Sequence, residues 1–382
     1  MKICMLCSGH NPFDARVFHK EAVSLQKVYE DITILAPYEE EAETRSGIRI
    51  IGLKARRRWW GRLGPLRDMY RKGLEVKADV YHCHEADSLL VGYLIKKRLG
   101  CRLIYDSHEL HSVQFPMHFA APLRGLVRIL VRRYERWLLG GVDQVITVNE
   151  IIRGYFLLLK PFMPVEILYN YPILKMCQEV DRTGGRTVIC HEGFMNFYRG
   201  LREIVDMLVA LKQRHPDITV LFVGDVVGSD RRWLDEQIER HGLHDNISIT
   251  GWLPIERALE ETRQAHIGLI TFRPLLNNML AGPPNKLFNY MSFGLPVVAV
   301  DFPEIRRVIE ESDCGVLVDP RDFKGFIPAV DDLVNDREKA IRYGENGRRA
   351  ALERYNWARM EPRLHKVYRA VERLLEEDKV SV

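Results

Sequence analysis

Short apolar runs alternate with amphipathic helical stretches along this chain, and the alternation stops and restarts once. The first series reads KICMLCS, a helix from Ala15 to Gln26, DITILAP, IRIIGL, DVYHCH, a helix from Ser88 to Leu99, RLIYDS, a long helix after Pro122, and QVITVN. The second reads TVICHEG, a helix from Leu201 to Arg214, ITVLFVG, a helix from Arg231 to His241, ISITGW, IGLITF and PVVAV. Strand and helix in repeated alternation mean βαβ units on a parallel sheet. At 382 residues the chain exceeds one ordinary core, so two series predict two parallel-sheet domains. The polar stretch VDRTGGR puts the boundary near Pro172 to Arg186, giving domains over 1–172 and 173–360. Ligands of open α/β sheets bind beyond the carboxyl ends of the strands. Two sheets facing each other would therefore make a cleft walled by SGHNPFDAR, HCHEAD, DSHEL, HEGFMNFYRG, FVGD and AGPPNKL.

Composition narrows the setting. No run of about eighteen uncharged apolar residues occurs, and the N-terminus MKICMLCSGH has no signal-peptide core, so the chain is expected in the cytoplasm. Its seven scattered cysteines read as reduced, buried thiols. The net charge of +4 is unevenly spread: Lys54 to Lys72 holds eight basic residues and one acid, with Trp59, Trp60 and Tyr70 interleaved. Arginine beside tryptophan suits an anionic membrane surface, so peripheral binding to the inner face of the membrane is expected through this run. The helix Leu123 to Leu139 is also basic and amphipathic; for it, an apolar side packed on its own core is an equal alternative. Nucleic acid is not expected, because no helix-turn-helix, zinc finger or aromatic RNA-binding signature accompanies the charge.

Three local patterns carry chemistry. In GPPNKLFNYMSFGLPVVAV a helix begins at a proline-stiffened turn, where free N–H groups and the positive dipole end favour an anion such as phosphate. In SGHNPFDAR a strand-to-helix turn at Gly9 lets the backbone approach a phosphate or an acceptor, with Asp14 and Arg16 reading equally as a helix cap and a surface cation. His82 and His84 alternate in YHCHEAD, so that one is expected in the core and the other at the strand end. A metal there would need a third ligand, and a metal-free site is expected.

The ordered set FDARVFHKEA, DVYHCHEADSLL, IYDSHEL, YRGL, LFVGD, ITGWLP, PPNKLFNYMSFGLPVVAV and CGVLVDP resembles the nucleotide-sugar glycosyltransferases of the GT-B fold, specifically the retaining family 4 type. The resemblance implies two Rossmann-like domains facing a cleft, an acceptor-binding first domain, a nucleotide-sugar-binding second domain, and a last helix, 361–382, packed back on the first. It implies transfer of a hexose from a UDP- or GDP-sugar to a glycan or lipid-linked acceptor, with no cofactor and no metal. By position, His108 matches the family histidine near the anomeric centre, and Arg199 matches the basic residue before glycine that holds the diphosphate. The upstream glycine is Gly193, followed here by Phe194 instead of a second basic residue, for which Lys286 could compensate. The turn and helix start at Gly282, Pro284, Asn285 and Leu287 match the donor loop, with Asp225, Leu253 and Pro254 on the nucleotide side. Asp14, Arg16, His84 and Glu109 are the acceptor-side candidates. The family's two glutamates on and before this helix fall on Asn289 and Ala281. With Asn289 facing the ribose, a glutamate there is expected to tighten donor binding. The alternative is a non-catalytic sugar-nucleotide-binding or assembly protein that has lost the ribose carboxylate.

Overall fold

A computed structural model describes residues 1–39, 42–53, 63–174, 186–280 and 282–380. They form two compact units, Met1–Asn170 with Ala358–Val382, and Tyr171–Trp357. Most of the expected boundary stretch, Ala281, and the part of the basic run over 54–62 lie outside the described residues.

Among the described residues, the first unit has one sheet of β1 (Ile3–Leu6), β2 (Ile32–Pro37), β3 (Ala42–Arg45), β4 (Ile48–Leu53), β5 (Val80–Cys83), β6 (Arg102–Ser107), β7 (Gln144–Thr147) and β8 (Val165–Ile167). Its order is β3-β4-β2-β1-β5-β6-β7-β8, with β3 antiparallel and the other pairings parallel. The central strands are buried along their whole length, as Ile3–Leu6 and Val80–Cys83 show, because helices cover both faces. From Ala358 onward the long helix Trp357–Val380 belongs to this unit: Tyr368 bonds His82, and Glu361 takes Lys27.

The second unit has β9 (Val188–Glu192), β10 (Thr219–Val223), β11 (Ile247–Ile249), β12 (Ile267–Ile270), β13 (Val297–Val300) and β14 (Gly315–Val318), all parallel, in the order β11-β10-β9-β12-β13-β14. The order reverses beside β9, the first strand, which is the switch point where such sheets open a crevice. Two glycines shape that end. Gly193 leaves β9 at φ +95°, and Gly200, at φ +89°, lies so close to the Thr271 carbonyl that a Cβ would fall 2.2 Å from its oxygen. Among the described residues, no helix is long and apolar enough to cross a membrane.

Candidate functional site

In the first unit the chemistry gathers on one helix and the ends of β5 and β6. Asp14 caps that helix, its Oδ1 accepting from the N–H groups of Arg16 at 2.7 Å and Val17 at 3.2 Å. The helix then winds as a π-helix over Ala15–Ala22. A helix bonded from i to i+5 brings residues five apart to one side, and here those are Arg16 and Glu21. Arg16 is not the surface cation that its sequence context allowed; it is 2% exposed. Its Nε donates to Asp106 at 2.8 Å and lies 2.8 Å from Glu21 Oε1, while Nη1 donates to the Leu168 carbonyl at 2.8 Å.

His82 lies within β5 and His84 just past its end, as expected, and both are buried in this cluster, because residues two apart on a strand share a face. Their ring centroids are 4.4 Å apart. His84 stands 3.8 Å from Asp106 and 3.9 Å from Glu21, and His82 meets the Tyr368 hydroxyl at 2.9 Å. Burial brings His82 down to about 4 and pushes His84 well below the usual histidine range, so both rings are neutral at pH 7. Burial also holds Glu21 well above the carboxylate range, with the Asp106 charge adding to it against Arg16. For Asp106, burial is outweighed by Arg16 and His108, which hold it well below that range. Arg16 therefore stands between two buried acids that are driven in opposite directions, Asp106 toward its charged form and Glu21 toward its neutral one. Glu21, His82, His84 and Asp106 have donor atoms within 4.8 Å of one another, the partners for a metal that the sequence did not name. The Arg16 guanidinium already supplies positive charge within 2.8 Å of both acids.

His108 leaves β6 half-buried, its Nε2 3.1 Å from Asp106 Oδ2, so Asp106 links the buried arginine to this ring. Glu109 beside it is exposed. At the Gly9 turn the structure corrects the sequence reading. The N–H groups of Ser8 and Gly9 donate to the Glu85 carboxylate at 2.8 and 3.0 Å, so an internal anion takes the place expected for a phosphate.

In the second unit the functional side chains meet at the carboxyl end of β9. The helix Asn285–Ser292 begins after Pro284 and is capped by no side chain. Residues i and i+3 of a helix share a face, and here Lys286 and Asn289 turn toward two successive residues of β9. Lys286 Nζ donates to His191 Nε2 at 2.8 Å, and Asn289 Nδ2 donates to Glu192 Oε1 at 2.7 Å. Glu192 Oε2 is buried without a hydrogen-bond partner. Sequence reasoning missed Glu192 and His191, although HEG at a strand end was the available signal. Arg199 ends the Asn196-capped turn Phe197–Arg199, its Nη1 donating to the Phe194 carbonyl at 2.7 Å. Arg199 and Lys286 share the Phe272 ring, at 6.0 and 5.1 Å from its centroid. Burial, then the Arg199 charge, brings Lys286 down to about 7. Burial also lowers Arg199 and raises Glu192, on which the Asn289 hydrogen bond acts in the opposite direction. Two cations depressed by burial form a place that an anion would stabilise.

The other candidates fall around this cluster in different ways. Gly282 and Pro284 are half-buried and Asn285 is exposed at the helix start, where its side chain is accessible. Leu287 is a correction: it is fully buried in the core, and its N–H bonds the Pro284 carbonyl at 3.0 Å. Asp225 follows β10 beside Gly251, Leu253 is half-buried, and Pro254 is exposed at the start of the helix Ile255–Arg263.

Residues 177–350 match the family described as Glycosyl transferases group 1, and residues 15–170 match the Glycosyl transferase 4-like domain. The chain is 24% identical over 322 residues to the alpha-D-kanosaminyltransferase of Streptomyces kanamyceticus, covering 80% of this chain and 81% of that one. It is 27% identical over 311 residues to the phosphatidyl-myo-inositol mannosyltransferase of Mycolicibacterium smegmatis, covering 77% and 71%. Among solved structures it superposes on Anabaena HepE in complex with UDP-glucose at a TM-score of 0.72 and 16% identity, covering 97% of this chain and 100% of that one.

Proposed function

The chain belongs to the GT-B glycosyltransferases of the family 4 type, and from that premise we propose a retaining hexosyltransferase that takes a UDP- or GDP-sugar as donor and a glycan or lipid-linked compound as acceptor. The observation that carries the reading is the pair Arg199 and Lys286, two partly desolvated cations at the switch point of the second sheet. Expelling a nucleoside diphosphate from an anomeric carbon builds negative charge on the departing phosphate, and preorganised cations lower that barrier. The second unit is accordingly the donor domain and the first the acceptor domain. In a retaining step the acceptor attacks from the face that the phosphate leaves, and the departing phosphate oxygen takes the acceptor proton. His108, held by Asp106, positions a sugar hydroxyl. HepE has been seen with UDP and UDP-glucose, which supports a nucleotide-sugar donor. The non-catalytic alternative rested on the absent ribose carboxylate; the hydrogen bond from Asn289 to Glu192 supports a reading in which Glu192 supplies that carboxylate.

Calorimetric titration with UDP-, GDP- and ADP-sugars tests donor binding. Arg199→Ala should then lower turnover by about 10²-fold or more, the scale of one lost transition-state contact, with little change in melting temperature. A folded protein that binds none of these sugars would remove the reading.

A further inference from the structure

The helix Arg124–Leu138 solves only half of its burial problem. Glu135 and Leu138 are buried and Tyr93 packs on Trp137, yet Leu126, Ile129, Leu130 and Trp137 each remain 52–57% exposed. At about 100° per residue, Leu123, Leu126, Leu130 and Trp137 fall within about 60° of one another. Arg133, Arg136 and Arg132 step away along one flank of that stripe, all exposed. The apolar surface continues into the segment just before the helix through Phe115, Met117 and Phe119. A monomer in water rarely exposes so many large apolar side chains together.

Charge identifies what covers this face. The helix has five arginines and one acid, and that acid, Glu135, is withdrawn: it is buried, bonded by the Tyr155 hydroxyl, and brought up to about 7 by burial. The exposed face therefore presents leucine, tryptophan and arginine with no carboxylate from its own helix. A second copy of the chain would bring the same arginines against these. A bilayer with anionic headgroups offers apolar depth to the leucines and phosphate to the arginines, with the indole at headgroup level. The expected lipid surface, Lys54 to Lys72, is weaker where it is described. Arg71 pairs with Asp68 and Glu75 at 2.9 and 3.2 Å, and Lys72 donates to the Gly52 carbonyl at 2.7 Å.

We propose that Phe115 to Trp137 is a docking surface for an anionic lipid bilayer. The segment starts seven residues after His108, so docking would bring the proposed acceptor residue close to the lipid along the chain. The surface itself rests on exposure and charge, and stands whether or not the acceptor is lipid-linked.

The test is co-sedimentation of the full chain with vesicles of pure phosphatidylcholine and with vesicles containing 30% phosphatidylglycerol by design (roughly the anionic range in which basic segments bind). Binding should require the anionic lipid and weaken with salt. Arg133→Glu with Arg136→Glu should weaken it by roughly 30-fold or more, from about fivefold for each arginine removed. Leu126→Ser with Leu130→Ser should weaken it by roughly 10-fold or more. Both pairs are exposed, so melting temperature should be nearly unchanged. Equal binding to neutral and anionic vesicles, no binding to either, or a self-associated species in sedimentation velocity that Leu126→Ser with Leu130→Ser dissolves would each overturn the proposal. So would loss of binding on Arg57→Glu with Arg58→Glu while the helix variants bind normally.

Discussion

Placing glutamate at position 289 looks from the sequence like repair, and in the structure it is damage. Asn289 is 9% exposed, and its amide nitrogen donates to Glu192 Oε1 at 2.7 Å. Asn289→Glu removes that donor and sets a second carboxylate against one that burial already raises above its ordinary range. A hydrogen bond to a charged group contributes about 1.5–3 kcal/mol, and like-charge repulsion adds to its loss. For a unit of this size, with about 2–4 °C per kcal/mol, the variant should melt roughly 4–10 °C lower. Donor affinity should fall by roughly tenfold, since the carboxylate proposed to meet the ribose loses the group that orients it. Glu192→Gln combined with Asn289→Glu returns an amide and a carboxylate to the same contact with their positions exchanged. That double variant should recover most of the melting temperature and of the donor affinity, so the two changes couple strongly and with a favourable sign. Scanning calorimetry and titration with UDP- and GDP-sugars on all four forms give the complete cycle. Tighter donor binding by Asn289→Glu alone, with melting unchanged, would show that Glu192 is not the partner that matters.

Other consequences follow from the buried charges. Burial, then the Arg199 charge, brings Lys286 down to about 7, and a bound diphosphate would raise it, so donor binding should take up a proton. Donor affinity should accordingly fall as pH rises above about 7, with proton uptake read by calorimetry in buffers of different ionisation enthalpy. The sign for stability is opposite: the unfolded lysine holds its proton up to its ordinary 10.5, so the cost of Lys286 to the empty protein diminishes as pH rises from about 7 toward that value. Arg16→Met should destabilise the first unit by about 3–5 kcal/mol, because Asp106 is left charged and buried. A fall in melting temperature below 2 °C would mean that the cluster adapts by protonating Asp106.

What the sequence makes legible is whatever depends on local pattern. Strands such as Ile3–Leu6 and Val297–Val300 are buried on both faces, so they appear as unbroken apolar runs; the edge strands Ala42–Arg45 and Val165–Ile167 carry no such run and escape notice. The helix at Ala15 is legible, but its π winding is not, since bonding to i+5 leaves no periodic mark in eight residues. The burial of Arg16 then follows from a partner five residues on and another ninety residues away, a pairing that only tertiary structure creates.

The same limit explains why the second site looked deficient. A carboxylate expected on a helix is legible as missing when the sequence is aligned by motif, because a motif records position along the chain. The proposed ribose contact needs a carboxylate only at a place in space. Glu192 at the end of β9 and Asn289 on the helix lie 97 residues apart and meet at 2.7 Å, with the acid on the strand and the amide on the helix. A substitution that seems to abolish a contact can therefore be one half of an exchange, and the other half is found only by asking what the substituted amide donates to.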